Sequence, residues 1–201
     1  MILGFGGLPG AGKTYSMIER ARKWRGKRPI FSNMNLTWAE EFSNLSELRL
    51  VTNALVLIDE AGIWFNSRKW NKLDEETMAW FAQHRKHGCD MMWTAQRVMG
   101  VDSSIRGLTQ QYAECLRVGN LIVHRWFDGA SGKPMGKSFV MLKREVYDLY
   151  DTLAFVGFAD GRGRGVGGAA EGRTERWLDE ALKGAICREE QELPGLGARY
   201  R

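Results

Sequence analysis

The spacing of apolar residues changes period along the chain, and each change marks an element. Residues 2–6 form a short apolar run, a glycine-rich turn follows, and 13–24 sets Met17, Ile18, Ala21 and Trp24 on one helical side. A second short strand is predicted at 29–33, a polar helical connection at 37–48, and an uninterrupted apolar strand at 54–58 that ends in Asp59 and Glu60. Runs of this kind suit parallel strands covered on both faces. Asp74 can cap a helix reaching about His87 with Met78, Phe81 and Ala82 inward; 91–95 is then another buried strand and 102–108 a short helix. From there the period becomes two. Residues 112–118 and 121–127 alternate on either side of Gly119-Asn120, a hairpin signal, and 138–142 offers one more strand. The pattern predicts an α/β fold with a central, mainly parallel sheet flanked by helices and an antiparallel edge hairpin.

The last fifty residues read differently. Seven glycines fall within 157–172 beside Arg162 and Arg164, with no apolar period, as in a flexible linker. Residues 175–186 then form an amphipathic helix with Trp177, Leu178, Ala181, Leu182 and Ala185 on one flank. The expected organisation is a domain at 1–156, a glycine-rich linker at 157–173, and a tail helix with its extension at 174–201. That helix suits docking on its own domain or binding a partner.

Composition bounds the function. Charged residues at 26% and hydrophobics at 44% exclude a disordered or fibrous chain. The longest stretch free of Asp, Glu, Lys and Arg is 1–12, short of the roughly 20 residues that span a bilayer, so no transmembrane helix is expected. Nor does the N-terminus read as an export signal. Cys89, Cys115 and Cys187 are odd in number and form no Cys-x-x-Cys pair, which points to a reducing compartment without disulfides or a zinc site. The net charge is +5; eight basic and eight acidic residues after position 158 cancel, so the excess lies entirely in 1–158.

The chemistry is densest at the front. Gly7-Leu8-Pro9-Gly10-Ala11-Gly12-Lys13-Thr14 matches G-x-x-x-x-G-K-[ST] between a strand and a helix, as a phosphate-binding loop requires. Its glycines let backbone N–H groups ring the phosphates, the helix start adds its dipole, Lys13 reaches the terminal phosphates and Thr14 ligates Mg²⁺. Tyr15 follows directly. Asp59, at the end of the next long apolar strand, is the second Mg²⁺ candidate, and Glu60 beside it is placed to polarise a water. Together these predict a P-loop NTPase that hydrolyses ATP with Mg²⁺. Gln96, after 91–95, is the candidate phosphate sensor. Arg85, Arg97 and Arg106 are candidates to supply charge in trans within a ring, and the sequence does not choose among them. Asp59-Glu-Ala-Gly62 and Asn71-Lys-Leu-Asp74 imitate a GTPase signature, but the second motif follows too closely and ends no buried strand.

Three weaker signals have plain alternatives. The cluster Arg20, Arg22, Lys23, Arg25, Lys27, Arg28 suits DNA or anionic lipid, and equally a helix C-terminus. His84, His87 and Cys89 lack a second ligand pair for a metal. Trp64, Trp70, Trp80 and Trp93 could stack bases or fill a core.

Several stretches together resemble the filamentous phage assembly ATPases, the family that includes the N-terminal domain of zonula occludens toxin. They are Gly7 to Tyr15, Val56-Leu-Ile-Asp-Glu-Ala61, Gln83-His-Arg-Lys-His-Gly-Cys-Asp90, Thr94-Ala-Gln96, Val101-Asp-Ser-Ser-Ile-Arg106 and Tyr147-Asp-Leu-Tyr-Asp-Thr152. The resemblance covers roughly 1–153. It implies a fold akin to DNA-pumping ATPases, a ring of identical subunits at the cytoplasmic face of the host inner membrane, phage coat and assembly proteins as partners, and ATP-driven extrusion of a single-stranded DNA virion. Members usually continue into a membrane-spanning helix; here the glycine-arginine linker and amphipathic helix occupy that place, which makes 174–187 a candidate contact for a membrane-anchored partner. Two rival functions remain: a soluble translocase or packaging motor acting directly on nucleic acid, for which single-stranded DNA is a candidate partner, and a nucleotide-gated scaffold without turnover.

Overall fold

In this computed structural model, which describes residues 1–65 and 75–150, the apolar runs become strands at the expected places. The chain passes through β1 (Ile2–Gly6), α1 (Lys13–Ala21), β2 (Ile30–Ser32), β3 (Glu40–Glu41), β4 (Leu55–Ile58), α2 (Ala61–Trp64) and α3 (Glu75–Gln83). It continues with β5 (Asp90–Ala95), α4 (Ser103–Leu108), β6 (Gln111–Val118), β7 (Leu121–Asp128), β8 (Pro134–Met141) and α5 (Arg144–Tyr147). The linker expected at 157–173 and the helix expected at 175–186 lie outside the described residues, as do Trp70 and the 71–74 motif.

All eight strands join one sheet in the order β3-β2-β4-β5-β1-β6-β7-β8. Pairing is parallel from β3 to β6 and antiparallel across β6-β7-β8, so the mainly parallel sheet with an antiparallel edge is what forms. Two registers matter for function. Ala95 pairs with Gly6, and Trp93 with Ile58. The C-terminal ends of β1, β4 and β5 therefore share one rim, where an open α/β sheet binds its ligands.

Alternation along the strands makes two cores. One face sends Ile2, Val56, Ile58, Met91 and Trp93 toward Phe42, Leu48, Phe65, Trp80, Phe81 and Ile105. On the other, Phe5 meets His124 and Trp126 edge-on, at centroid distances of 6.2 and 5.8 Å. Trp64, Trp80 and Trp93 belong to the first core rather than to an open base-stacking surface. Among the described residues no helix is long and apolar enough to cross a membrane.

Three local expectations shift. The helix expected at 37–48 is instead the short strand β3 and a 3₁₀ turn, Leu45–Leu50. Asn44 starts that turn by accepting from the Ser46 N–H at 3.1 Å, and buried Phe42, Leu45 and Leu48 recur every third residue, the period of a 3₁₀ coil. Helix α3 stops at Gln83, because 84–88 tightens into turns that close on Gly88 at φ +69°. Helices α2 and α5 are four residues each, too short to leave an apolar period.

Strand β1 tolerates no side chain at Gly4. A Cβ there would sit 2.3 Å from the Trp93 indole, which is fully buried and held by its N–H on Thr109 Oγ1 at 3.1 Å. Gly4→Ala is expected to cost about 1–3 kcal/mol by overpacking, measured by urea unfolding, and W93F in the same chain should recover most of the loss.

Candidate functional site

The loop 7–12 leaves β1 at the rim and turns back into α1 through left-handed backbone at Gly10 (φ +77°) and Gly12 (φ +86°). The Ala11 N–H closes the turn on the Leu8 carbonyl at 3.1 Å. At Gly12 a side chain is excluded twice, by the backbone and by Ile122 of β7, whose Cδ1 lies 2.3 Å from where a Cβ would sit. Helix α1 starts without a side-chain cap and without an acidic residue in its first turn. Its first N–H groups and the positive end of its dipole are thus left to an anion. Lys13 is buried and donates from Nζ to the Leu8 carbonyl at 3.1 Å, folded back across the loop. Pro9 and Leu8 form the outer bend, with Leu8 well exposed.

Thr14 and Asp59 meet although forty-five residues separate them: Thr14 Oγ1 donates to Asp59 Oδ1 at 2.9 Å. Asp59 is 8% exposed, and a carboxylate so placed needs donors. A second hydroxyl, Thr94 Oγ1 at the end of β5, donates to the same oxygen at 2.6 Å. The Asp59 backbone is clasped by Asn33 beyond β2, which donates from Nδ2 to its carbonyl at 2.9 Å and accepts its N–H at 2.8 Å. Thr14 and Asp59 present hard oxygens beside a loop shaped for phosphates, a donor set that fits Mg²⁺.

Glu60 adopts the left-handed conformation, φ 50° and ψ 50°, which costs a non-glycine residue about 1–2 kcal/mol. Its N–H donates to Thr94 Oγ1 at 3.0 Å, so one threonine hydroxyl holds both acidic residues, giving its proton to Asp59 and taking one from the Glu60 backbone. Burial, and then the charge of Asp59, push the Glu60 carboxyl above its ordinary value, while Lys13 opposes the rise.

The remaining candidates are scattered. Gln96 is exposed on the rim immediately after Ala95, which pairs with Gly6 at the mouth of the loop, and Arg97 is exposed beside it. Arg106 is turned onto its own segment, donating to the Val101 carbonyl at 3.0 Å and to Met99 Sδ at 3.4 Å. Arg85 is exposed in the turn before β5, at the sheet edge opposite the loop. Tyr15 reaches the C-terminal end of β8. Its hydroxyl donates to the Met141 carbonyl at 3.2 Å and accepts the Lys143 N–H at 2.7 Å, and its ring lies 5.1 Å from Tyr147. Half of the basic cluster at the end of α1 is engaged within the domain: Arg20 lies 4.9 Å over Trp126, Arg22 pairs with Glu19 and Glu145, and Arg28 pairs with Asp90 at 2.9 Å, while Lys23, Arg25 and Lys27 are exposed.

Sequence reasoning missed Asn33 and the role of Thr94. A threonine inside the apolar run Met91-Met-Trp-Thr-Ala95 was the available sign for Thr94; Asn33 left none.

Residues 37–123 match the zonular occludens toxin (Zot) family. The gene 1 protein of Enterobacteria phage I2-2 is 35% identical over 71 residues, 34% of this chain and 20% of that protein. The gene 1 protein of Enterobacteria phage M13 is 34% identical over the same shares. The aligned part thus spans a fifth of the length of these phage proteins. Among solved structures, the N-terminal domain of zonular occludens toxin from Neisseria meningitidis superposes with TM-score 0.61 at 18% identity, covering 75% of this chain and 98% of that one. The genome packaging NTPase B204 from Sulfolobus turreted icosahedral virus 2, in complex with AMPPCP, gives 0.50 at 12% identity over 67% and 95%. The fold is that of the P-loop NTPases.

Thr94→Val should lower stability by about 1–3 kcal/mol in urea unfolding, because it strips a donor from a buried carboxylate and an acceptor from the Glu60 N–H. Thr94→Ser should restore most of it.

Proposed function

From its relation to the zonular occludens toxin family and to phage gene 1 proteins, we propose that this chain is a Mg²⁺-dependent ATPase that powers assembly and export of a single-stranded DNA virion through the host envelope. The observation that carries the reading is the convergence of Lys13, Thr14, Asp59, Thr94 and Glu60 at the rim, where the loop, the second acidic strand and the strand between them end together.

Each residue then has a task. The N–H groups of 7–14 and the Lys13 ammonium bind the phosphates of ATP. Thr14 and Asp59 hold Mg²⁺, which when bound offsets charge on the phosphate oxygens. Glu60 takes the proton of the attacking water as the water oxygen bonds the γ-phosphorus and the bond to the β–γ bridging oxygen breaks, releasing ADP and phosphate. Its raised basicity, from burial and from Asp59, suits it to that role. Gln96, exposed at the rim, reads the γ-phosphate. The arginine that acts on a neighbouring copy's phosphates across a ring interface is to be sought among Arg85, Arg97 and Arg106, of which Arg85 and Arg97 are exposed.

On this reading the chain works as a ring of identical copies at the cytoplasmic face of the host inner membrane. Its partners are phage coat and assembly proteins, and residues 174–187 are the candidate contact for a membrane-anchored one. Direct action on nucleic acid, as a translocase or packaging motor, is the second reading; the genome packaging NTPase B204 shares the fold. Within the cluster at the end of α1, the internal partners of Arg20, Arg22 and Arg28 leave Lys23, Arg25 and Lys27 as the exposed cations for such a contact.

Glu60→Gln should leave ATP affinity within a few-fold of the parent while hydrolysis falls by about 10²–10⁴, measured by phosphate release. Unchanged turnover overturns the assignment. Because Glu60 must be ionised to accept a proton, kcat should decline as pH falls through the raised pKa. The acid limb of the pH profile is expected above 4.5, the ordinary value of this carboxyl.

A further inference from the structure

A buried polar chain links the phosphate loop to the far edge of the sheet. Ser16, in the first turns of α1, donates from Oγ to the Gly12 carbonyl at 2.7 Å. The same oxygen lies 2.7 Å from His124 Nε2 on β7. His124 Nδ1 lies 3.3 Å from Ser138 Oγ on β8, and Ser138 accepts the Trp126 indole N–H at 2.8 Å. Ser16 and His124 are each 3% exposed.

The protons can be placed by elimination. Ser16 has one hydroxyl hydrogen and a further neighbour in the Cys115 thiol; with that hydrogen on the Gly12 carbonyl, the imidazole Nε2–H is the donor to Ser16 at 2.7 Å. Nδ1 is then an acceptor, filled by the Ser138 hydroxyl, whose oxygen is free to accept from Trp126. Every bond runs the same way, from β8 to the loop. A neutral histidine is the form that can serve both neighbours in this sense. Burial, and then the nearby Arg20 cation, agree with it by pushing His124 down to about 4. A charged ring would have two N–H donors and leave the Ser138 hydrogen without this acceptor.

Packing reinforces the tie. Ile122, two residues before His124, fills the space a side chain at Gly12 would need, and Gly7 stands where a Cβ would be 2.7 Å from the Cys115 carbonyl of β6. The loop is thus gripped at both ends by the antiparallel wing β6–β8, and at Gly12 by a directed hydrogen-bond chain. The Gly12 carbonyl also begins the α1 ladder, accepting the Ser16 N–H at 2.9 Å. Its orientation sets that of the peptide whose N–H belongs to Lys13.

We propose that His124 is a positioning residue for the phosphate loop: through Ser16 it fixes the Gly12–Lys13 peptide, and through Ser138 it ties that peptide to β8. It rests on the nucleotide-binding reading above and adds to it a residue that touches no nucleotide.

Two isosteres separate the halves of the imidazole. Gln at 124 carries an amide N–H at the position of Nε2 and keeps the bond to Ser16; Asn reaches only the Nδ1 side. Affinity for a fluorescent ATP analogue with Mg²⁺, kcat, and the thermal midpoint are measured on the full chain for H124Q, H124N and S16A. H124N is expected to weaken nucleotide binding about tenfold, H124Q to recover binding to within about threefold of the parent, and both to lower the midpoint to a similar degree. S16A should weaken binding as H124N does, which keeps the test decisive if H124N does not fold. Equal losses of affinity in H124Q and H124N, or parental affinity in S16A, overturn the proposal and leave His124 a packing residue. A parent chain that binds no nucleotide overturns the nucleotide-binding reading itself, and this inference with it.

Discussion

The architecture of the site depends on one buried oxygen. Asp59 Oδ1 receives the hydroxyls of Thr14 and Thr94, and the Asp59 backbone is locked to Asn33. A carboxylate placed at 8% exposure is destabilising unless it is hydrogen-bonded; its two donors come from α1 and β5, while Asn33, just after β2, holds the backbone of the same residue. Satisfying one charge therefore sets the relative positions of the phosphate loop, the acidic strand end and the strand between them. The left-handed Glu60 is the local strain that this arrangement sustains, and its anchor is the same Thr94 hydroxyl.

The antiparallel edge is more than a sheet extension. Residues of β6, β7 and β8 each contact the loop or the start of α1: Cys115 near Gly7, Ile122 and His124 at Gly12 and Ser16, and the Met141 carbonyl with Lys143 at Tyr15. The glycines of the motif consequently answer two demands. They leave backbone N–H groups open toward an anion, and they let neighbouring strands approach closer than any side chain would allow. A substitution in the motif can therefore fail by clash alone, apart from any effect on phosphate.

Much of this was legible in the residues. The strands β1, β4 and β5 announce themselves as apolar runs, and the hairpin by alternation around Gly119-Asn120, because burial on two faces or one leaves a period in the sequence. Lys13, Thr14, Asp59 and Glu60 stand out in the sequence because a phosphate-loop motif at a helix start and carboxylates at the end of an apolar strand are residue types in places that this chemistry asks for. The misses share a cause. Asn33, Thr94, Ser16 and His124 act through contacts between residues 26 to 108 positions apart, to backbone groups or to each other, and single polar residues carry no period. The connection at 37–48 misled because its apolar residues recur every three positions, a spacing also found along a helix face.

Lys13 gives the loop a self-contained resting arrangement. Its ammonium is satisfied by the Leu8 carbonyl, five residues back in the same loop. An incoming anion therefore does not find a bare cation; it competes with a neutral internal acceptor and must draw the ammonium away from it. Charge decides such an exchange, since an anion adds a Coulombic attraction for the ammonium that a neutral carbonyl lacks. On the nucleotide-binding reading the loop is a threshold: uncharged or weakly basic molecules would leave the lysine where it is, and a dense, multiply ionised phosphate tail would displace it.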